Sequence, residues 1–139
     1  VDLYARLASP VEAVFGHLAD PSRLSDWLHE VAGAPEGLES PPCVGAAFPV
    51  AMRLDGVGLA GSGELTAFEP PWLVGYRLFA GARRFGLRIT CTAHSGGARI
   101  RVHQSDDAVP LTVDLARLEL ALASRWAGGS AVGSSQAPA

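Results

Sequence analysis

Lysine is missing from this chain: all 11 basic residues among the 139 are arginine. Together with abundant Ala, Gly and Pro, that bias points to a GC-rich coding sequence of bacterial type and says nothing about function. Long apolar runs are missing too. None approaches the roughly 18 residues of a bilayer-spanning helix, so no membrane span is expected. No block of like charge occurs, and the net charge is −3. A nucleic-acid-binding domain would show a basic stripe; the sequence shows none, and no nucleic-acid partner is expected. The two cysteines, Cys43 and Cys91, define no disulfide framework. Both read as small free thiols, buried or half-buried. A leader-like segment is also absent, and the chain starts at Val1 instead of Met. The cytoplasm is the expected location.

What remains is globular. Hydrophobic residues make up 48% and charged residues 18%, enough for one domain with a real core. The first eight residues alternate, with Val1, Leu3, Ala5 and Leu7 on one face, as in a half-buried strand. Ser9, Pro10 and Glu12 then read as N-cap, first helical residue and capping-box partner. Val11, Val14, Phe15 and Leu18 form the stripe of a short helix. Asp20-Pro21 stops it and opens a second, with Leu24, Trp27, Leu28 and Val31 as its apolar side. The stretch from Gly33 to Gly45 reads as loop or irregular edge strand.

From Ala46 the period becomes two. Phe48, Val50, Met52 and Leu54 share a face, as do Trp72, Val74, Tyr76 and Leu78. Phe85, Leu87, Ile89, Cys91 and Ala93 form another such face, and Ala98, Ile100, Val102 and Gln104 the last. Gly61 and Gly63 interrupt the strand Leu59 to Glu69, where the sheet should bend. Ser95-Gly96-Gly97 marks a hairpin. Leu111, Leu115, Leu118, Leu122 and Trp126 repeat at helical spacing, predicting a helix from Val109 to Trp126 ended by Gly128-Gly129. These elements predict an α+β domain over residues 1–127, followed by a disordered Gly/Ser/Ala tail, 128–139. A sheet with one apolar face must be covered, and the C-terminal helix is the long element available. The fold expected is therefore a curved antiparallel sheet wrapped around that helix. The two short helices after the first strand close one end, and a cavity lies between sheet and helix.

Several stretches are similar to one family. They are Ala8-Ser9-Pro10-Val11-Glu12-Ala13-Val14-Phe15, Leu18-Ala19-Asp20-Pro21-Ser22-Arg23-Leu24 and Asp26-Trp27-Leu28 near the start. Further along come Gly63-Glu64-Leu65-Thr66-Ala67-Phe68-Glu69-Pro70-Pro71, Leu73-Val74-Gly75-Tyr76-Arg77-Leu78 and the hairpin before Arg99-Ile100-Arg101-Val102. The chain resembles the START-like SRPBCC superfamily, and within it the polyketide cyclase/dehydrase type, up to about Trp126. The resemblance implies a helix-grip fold and a hydrophobic pocket for polyketides, lipids, sterols or aromatic metabolites. Members range from cyclases to plain carriers, so the fold does not choose between them.

Chemistry-bearing residues are sparse. His17 and His29 fall on the two short helices at no ligand spacing, while His94 and His103 fall on the outer sheet face. No metal and no cofactor is expected. Gly56-Val57-Gly58 and Gly61-Ser62-Gly63 lack a Lys and a following helix, so they read as turns and bends, not phosphate loops. Ser9 and Ser22 sit at helix starts, where capping accounts for them.

The inward polar residues are Tyr76 and Gln104, with Cys91 as a soft third. Each polar group costs about 1–3 kcal/mol if left unpaired, so each either finds a protein or water partner or orients a ligand. Trp27 either plugs the core beside Phe15 or lines the pocket mouth. His29, about 200° from it on a helix, cannot share its face. Alternation puts Arg77 on a basic outer face with Arg84 and Arg88. A one-residue slip would turn Arg77 inward, where it would hold an enolate or carboxylate.

No catalytic residue is assigned; the candidates are Tyr76, Arg77 and His29. The expected ligand wall is Trp27, Phe48, Val50, Met52, Trp72, Tyr76, Leu87, Gln104 and Leu118. The expected function is binding of a hydrophobic small molecule by a monomer or homodimer. The alternative is a cofactor-free polyketide cyclase or aromatase that folds a reactive chain by cavity shape and assists enolisation or dehydration. A third reading, a domain acting through protein contacts, has no exposed apolar stripe to recommend it.

Overall fold

The computed structural model describes residues 2–33, 43–105 and 111–130. The chain opens with β1 (Asp2–Leu7), α1 (Val11–Leu18) and a 3-10 helix (Pro21–Asp26). Six strands follow: β2 (Val31–Gly33), β3 (Ala47–Leu54), β4 (Val57–Glu69), β5 (Leu73–Ala80), β6 (Arg83–His94) and β7 (Gly97–Gln104). The last element is α2 (Leu115–Ser130).

The seven strands among the described residues form one antiparallel sheet in the order β1-β7-β6-β5-β4-β3-β2. The first two strands in sequence are thus the two edges of the sheet. α1 and the 3-10 helix carry the chain from one edge to the other, and their buried residues join the core of the sheet's inner face.

Local chemistry explains the helix boundaries. Pro10, in extended conformation, is the N-cap of α1, and no side chain caps it. Ser9 therefore does not cap; Pro10 fits the cap position through its fixed φ of −60°. Asp20 caps the next helix, accepting from the Ser22 amide at 3.0 Å and the Ser22 hydroxyl at 2.6 Å. Pro21 then sits at the helix start, where a missing N–H costs nothing.

The period of two is observed in the sheet. Phe48, Val50, Met52 and Leu54 are buried on β3, as are Val74, Tyr76, Leu78 and Ala80 on β5. Phe85, Leu87, Ile89 and Cys91 are buried on β6, and Ala98, Ile100, Val102 and Gln104 on β7. Asp55-Gly56 and Ser95-Gly96 turn the β3–β4 and β6–β7 hairpins with positive φ at both central residues. On β4, Gly63 is required by close approach. A Cβ there would lie 2.4 Å from the Phe48 ring and 2.9 Å from Leu78 Cδ2. Phe48 and Leu78 flank Gly63 in register, so the missing side chain makes room for the Phe48 ring on the inner face.

The C-terminal helix differs from expectation at both ends. Its start is Leu115, since Leu111–Asp114 runs alongside Trp27–His29 instead; the expected start at Val109 lies outside the described residues. Leu28 and Val113 form a bridge, His29 N donates to Thr112 O at 2.9 Å, and Asp114 N donates to Trp27 O at 2.9 Å. Glu30 adds two bonds, accepting from Thr112 N at 2.7 Å and Thr112 Oγ1 at 2.8 Å. Asp114 is the cap, its Oδ1 accepting from Arg117 N at 3.0 Å. Gly128-Gly129 does not end α2, which continues to Ser130; the rest of the expected tail, 131–139, lies outside the described residues. Leu118 and Leu122 are buried in the same core cluster as the sheet's inner face, while Leu115 is only partly buried against it. The pattern at Leu111 is helical in spacing alone: its side chain is buried from an extended segment.

Candidate functional site

The inner sheet face, α1, the 3-10 helix and α2 bury one continuous apolar cluster. Eight of the nine side chains expected to line a chamber lie on this inward side: Trp27, Phe48, Val50, Met52, Tyr76, Leu87, Gln104 and Leu118. Trp72 does not. It is 51% exposed. Its backbone closes the turn before β5, with Trp72 N donating to Glu69 O at 2.7 Å, so the pleat of the strand does not direct its ring.

The two polar side chains among the eight are both bonded to backbone. The Tyr76 hydroxyl donates to the Leu18 carbonyl at 2.6 Å. Leu18 ends α1, where carbonyls lack helical partners, so Tyr76 closes the helix from the sheet. Burial, with Asp20 as a lesser cause, pushes the phenol well above its ordinary value; it stays protonated and donates. Gln104 makes a two-way tie with Leu111: its Nε2 donates to Leu111 O at 2.9 Å, and its Oε1 accepts from Leu111 N at 2.7 Å. Cys91 is buried and its thiol is pushed up to about 12 by desolvation, so it is no nucleophile near neutrality. Cys43, by contrast with expectation, is exposed, lying beyond the sheet in the turn before β3.

One inward donor remains. Trp27 is fully buried, and its Nε1 has no hydrogen-bond partner among the described residues. An unpaired buried donor costs about 1–3 kcal/mol.

Of the catalytic candidates, only Tyr76 lies inside. Arg77 is exposed on the outer face, 3.5 Å from Glu64 Oε1 across the β4–β5 pair. His29 is exposed, its strand-like segment turning it away from buried Trp27 and Leu28. A pair that sequence reasoning missed is His17 with Asp26. His17 is buried, and its Nε2 stands 3.0 Å from Asp26 Oδ2, linking the last turn of α1 to the end of the 3-10 helix. The residues lie nine apart across a helix break, where no periodic signal connects them. Among the described residues, no cluster of three or more His, Cys, Asp or Glu side chains could hold a metal, and no helix is long and apolar enough to cross a membrane.

The arrangement of an apolar inner face under a C-terminal helix has sequence counterparts. Residues 3–132 match the family described as polyketide cyclase / dehydrase and lipid transport. The chain belongs to that family. No curated protein matches. Among solved structures, a Nitrosomonas europaea protein shares the fold at a TM-score of 0.65 and 16% identity, over 91% of this chain and 96% of the other. Ara h 8.0201 superposes with a TM-score of 0.59 at 12% identity, over 92% and 90% of the two chains. The di-domain ARO/CYC StfQ from the steffimycin biosynthetic pathway gives 0.61 at 16% identity; 94% of this chain covers 44% of that one. At these identities the likeness is one of fold. The curled antiparallel sheet with its C-terminal helix is the helix-grip architecture that the family resemblance implied. In this member of the polyketide cyclase/dehydrase and lipid transport family, the inward polar side chains of the sheet hold the framework together.

Proposed function

We propose that this domain binds a hydrophobic small molecule, such as a polyketide, lipid or aromatic metabolite, between the inner sheet face and α2, as a binding protein more than as a catalyst. The observation that carries this reading is the bonding of Tyr76 to Leu18 and of Gln104 to Leu111. With both side chains committed to backbone groups, the described inner sheet face offers apolar area beside the Trp27 N–H, while the buried His17–Asp26 pair belongs to the junction of α1 and the 3-10 helix. Such a wall suits a mainly apolar ligand carrying an oxygen acceptor, since pockets combine apolar lining with few placed polar groups.

Native mass spectrometry of the purified protein tests the reading. A co-purifying small molecule, lost or weakened in Trp27→Phe, is the expected result. Consistent absence of any ligand, with no displacement of an apolar fluorescent probe by polyketides or fatty acids, would overturn it. The cyclase reading, which the family description keeps open, predicts instead that a poly-β-ketone substrate is turned over. Turnover that Tyr76→Phe abolishes would make catalysis the function.

A further inference from the structure

The outer face of β6, β7 and β1 collects arginines that are scattered in the sequence. Arg88 pairs in register with His103, and Thr90 with Arg101. On the next strand, Asp2 faces His103 and Tyr4 faces Arg101. One row further, Arg6 and Arg99 stand directly opposite each other, an arrangement that costs free energy through repulsion. Neither has a carboxylate partner among the described residues. On a chain of net charge −3, this face is positive.

Within it, Arg88, Thr90, Arg101 and His103 line a cleft of about 150 Å³. Two of the four are held in place by one carboxylate. Asp2 Oδ2 accepts from Arg101 Nη2 at 2.8 Å and from Arg101 Nε at 3.2 Å. Asp2 Oδ1 contacts His103 Nδ1. Arg101 also lies over the Tyr4 ring, 5.9 Å from its centroid. These contacts leave Arg101 Nη1 and His103 Nε2 without a partner in the Asp2 cluster. Arg88 makes no ion pair with any described residue, and Thr90, two residues along β6, is the cross-strand partner of Arg101.

We propose that this cleft is a binding site for a phosphate-type oxyanion, with Arg88 as its free cation, Thr90 as its hydroxyl donor, and Arg101 and His103 pre-oriented by Asp2. Guanidinium groups match the geometry of phosphate oxygens, and charge-assisted bonds are the strong ones. Arg88 and Arg101 supply two positive charges against the one of Asp2, so the cleft keeps a net positive charge before His103 is counted. The site backs onto the inner wall: Leu87 and Ile89 on β6 face the core while Arg88 faces the cleft. It does not rest on what the interior holds.

The test is a titration of the full chain with inorganic phosphate at constant ionic strength set by sodium chloride, followed by amide NMR. Saturable shifts at Thr90, Arg101 and His103 are expected. Arg88→Gln should weaken phosphate binding by roughly tenfold, while Arg84→Gln, on the same strand but outside the cleft, should leave it unchanged. Linear, unsaturated shifts, or equal weakening by both substitutions, would mean diffuse charge screening and would overturn the site. So would wild-type affinity in Arg88→Gln. A parallel arm uses phosphatidylcholine vesicles with and without phosphatidic acid. Sedimentation with the phosphatidic acid vesicles that is lost in Arg88→Gln assigns the oxyanion to a lipid headgroup. Phosphate binding without sedimentation assigns it to a soluble phosphate.

Discussion

The Tyr76 hydroxyl, in the middle of the sheet, is bonded to the Leu18 carbonyl at the end of the first helix, 2.6 Å away. That single bond joins β5 to the C-terminus of α1 through the core. Tyr76→Phe removes the oxygen and leaves a buried carbonyl without its partner. Stability should fall by about 1–3 kcal/mol, read from urea denaturation midpoints, while ligand affinity holds. A drop in affinity at unchanged stability would assign the hydroxyl to the ligand instead.

Leu118 is fully buried on α2. Leu118→Ala should cost about 2–5 kcal/mol, as large-to-small changes in closed cores do. A loss below about 1 kcal/mol would mean that α2 contributes little to the core.

Hydrogen bonds from His103 and Arg101 hold the Asp2 carboxyl at about 2, below its ordinary 3.8. The fold therefore favours the ionised form. Its contribution to stability is complete above pH 3.8 and is lost as the pH falls towards 2. Asp2→Asn should flatten that part of the acid limb. Comparing denaturation midpoints of the two proteins on either side of this window checks it; equal acid sensitivity would show that the Asp2 cluster adds nothing to folding.

The thiols should separate by reactivity. Cys43 is exposed, whereas Cys91 is buried with its thiol pushed up to about 12. In a thiol-specific colorimetric titration of the native protein, one group should react promptly and the second only after denaturant is added. Two fast groups would mean that β6 opens readily.

The strands were legible because their signal is local. Alternation from Phe48 to Leu54 or from Phe85 to Cys91 says which face each side chain takes, and the outward position of Arg77 follows from the same parity. Legibility ended where long-range pairing decided the backbone. Leu111 has helical spacing to Leu115, yet its segment is bridged to Trp27–His29 and is extended. Trp72 obeys the alternation on paper but belongs to a turn. The His17–Asp26 pair and the positive cleft need distant residues brought together by α1 packing and by strand register, and neither follows from any window of sequence. What Tyr76 and Gln104 bond to was equally invisible, because both acceptors are backbone groups and carry no residue signature.

The two-way tie between Gln104 and Leu111 fixes the end of the last strand to the approach of α2, independently of the residues between them. One side chain therefore carries the register of the sheet's last strand into the approach of the C-terminal helix. For evolution, and for an engineer, Gln104 is a keystone: exchanging it would leave a backbone N–H and a backbone carbonyl seeking new partners at once.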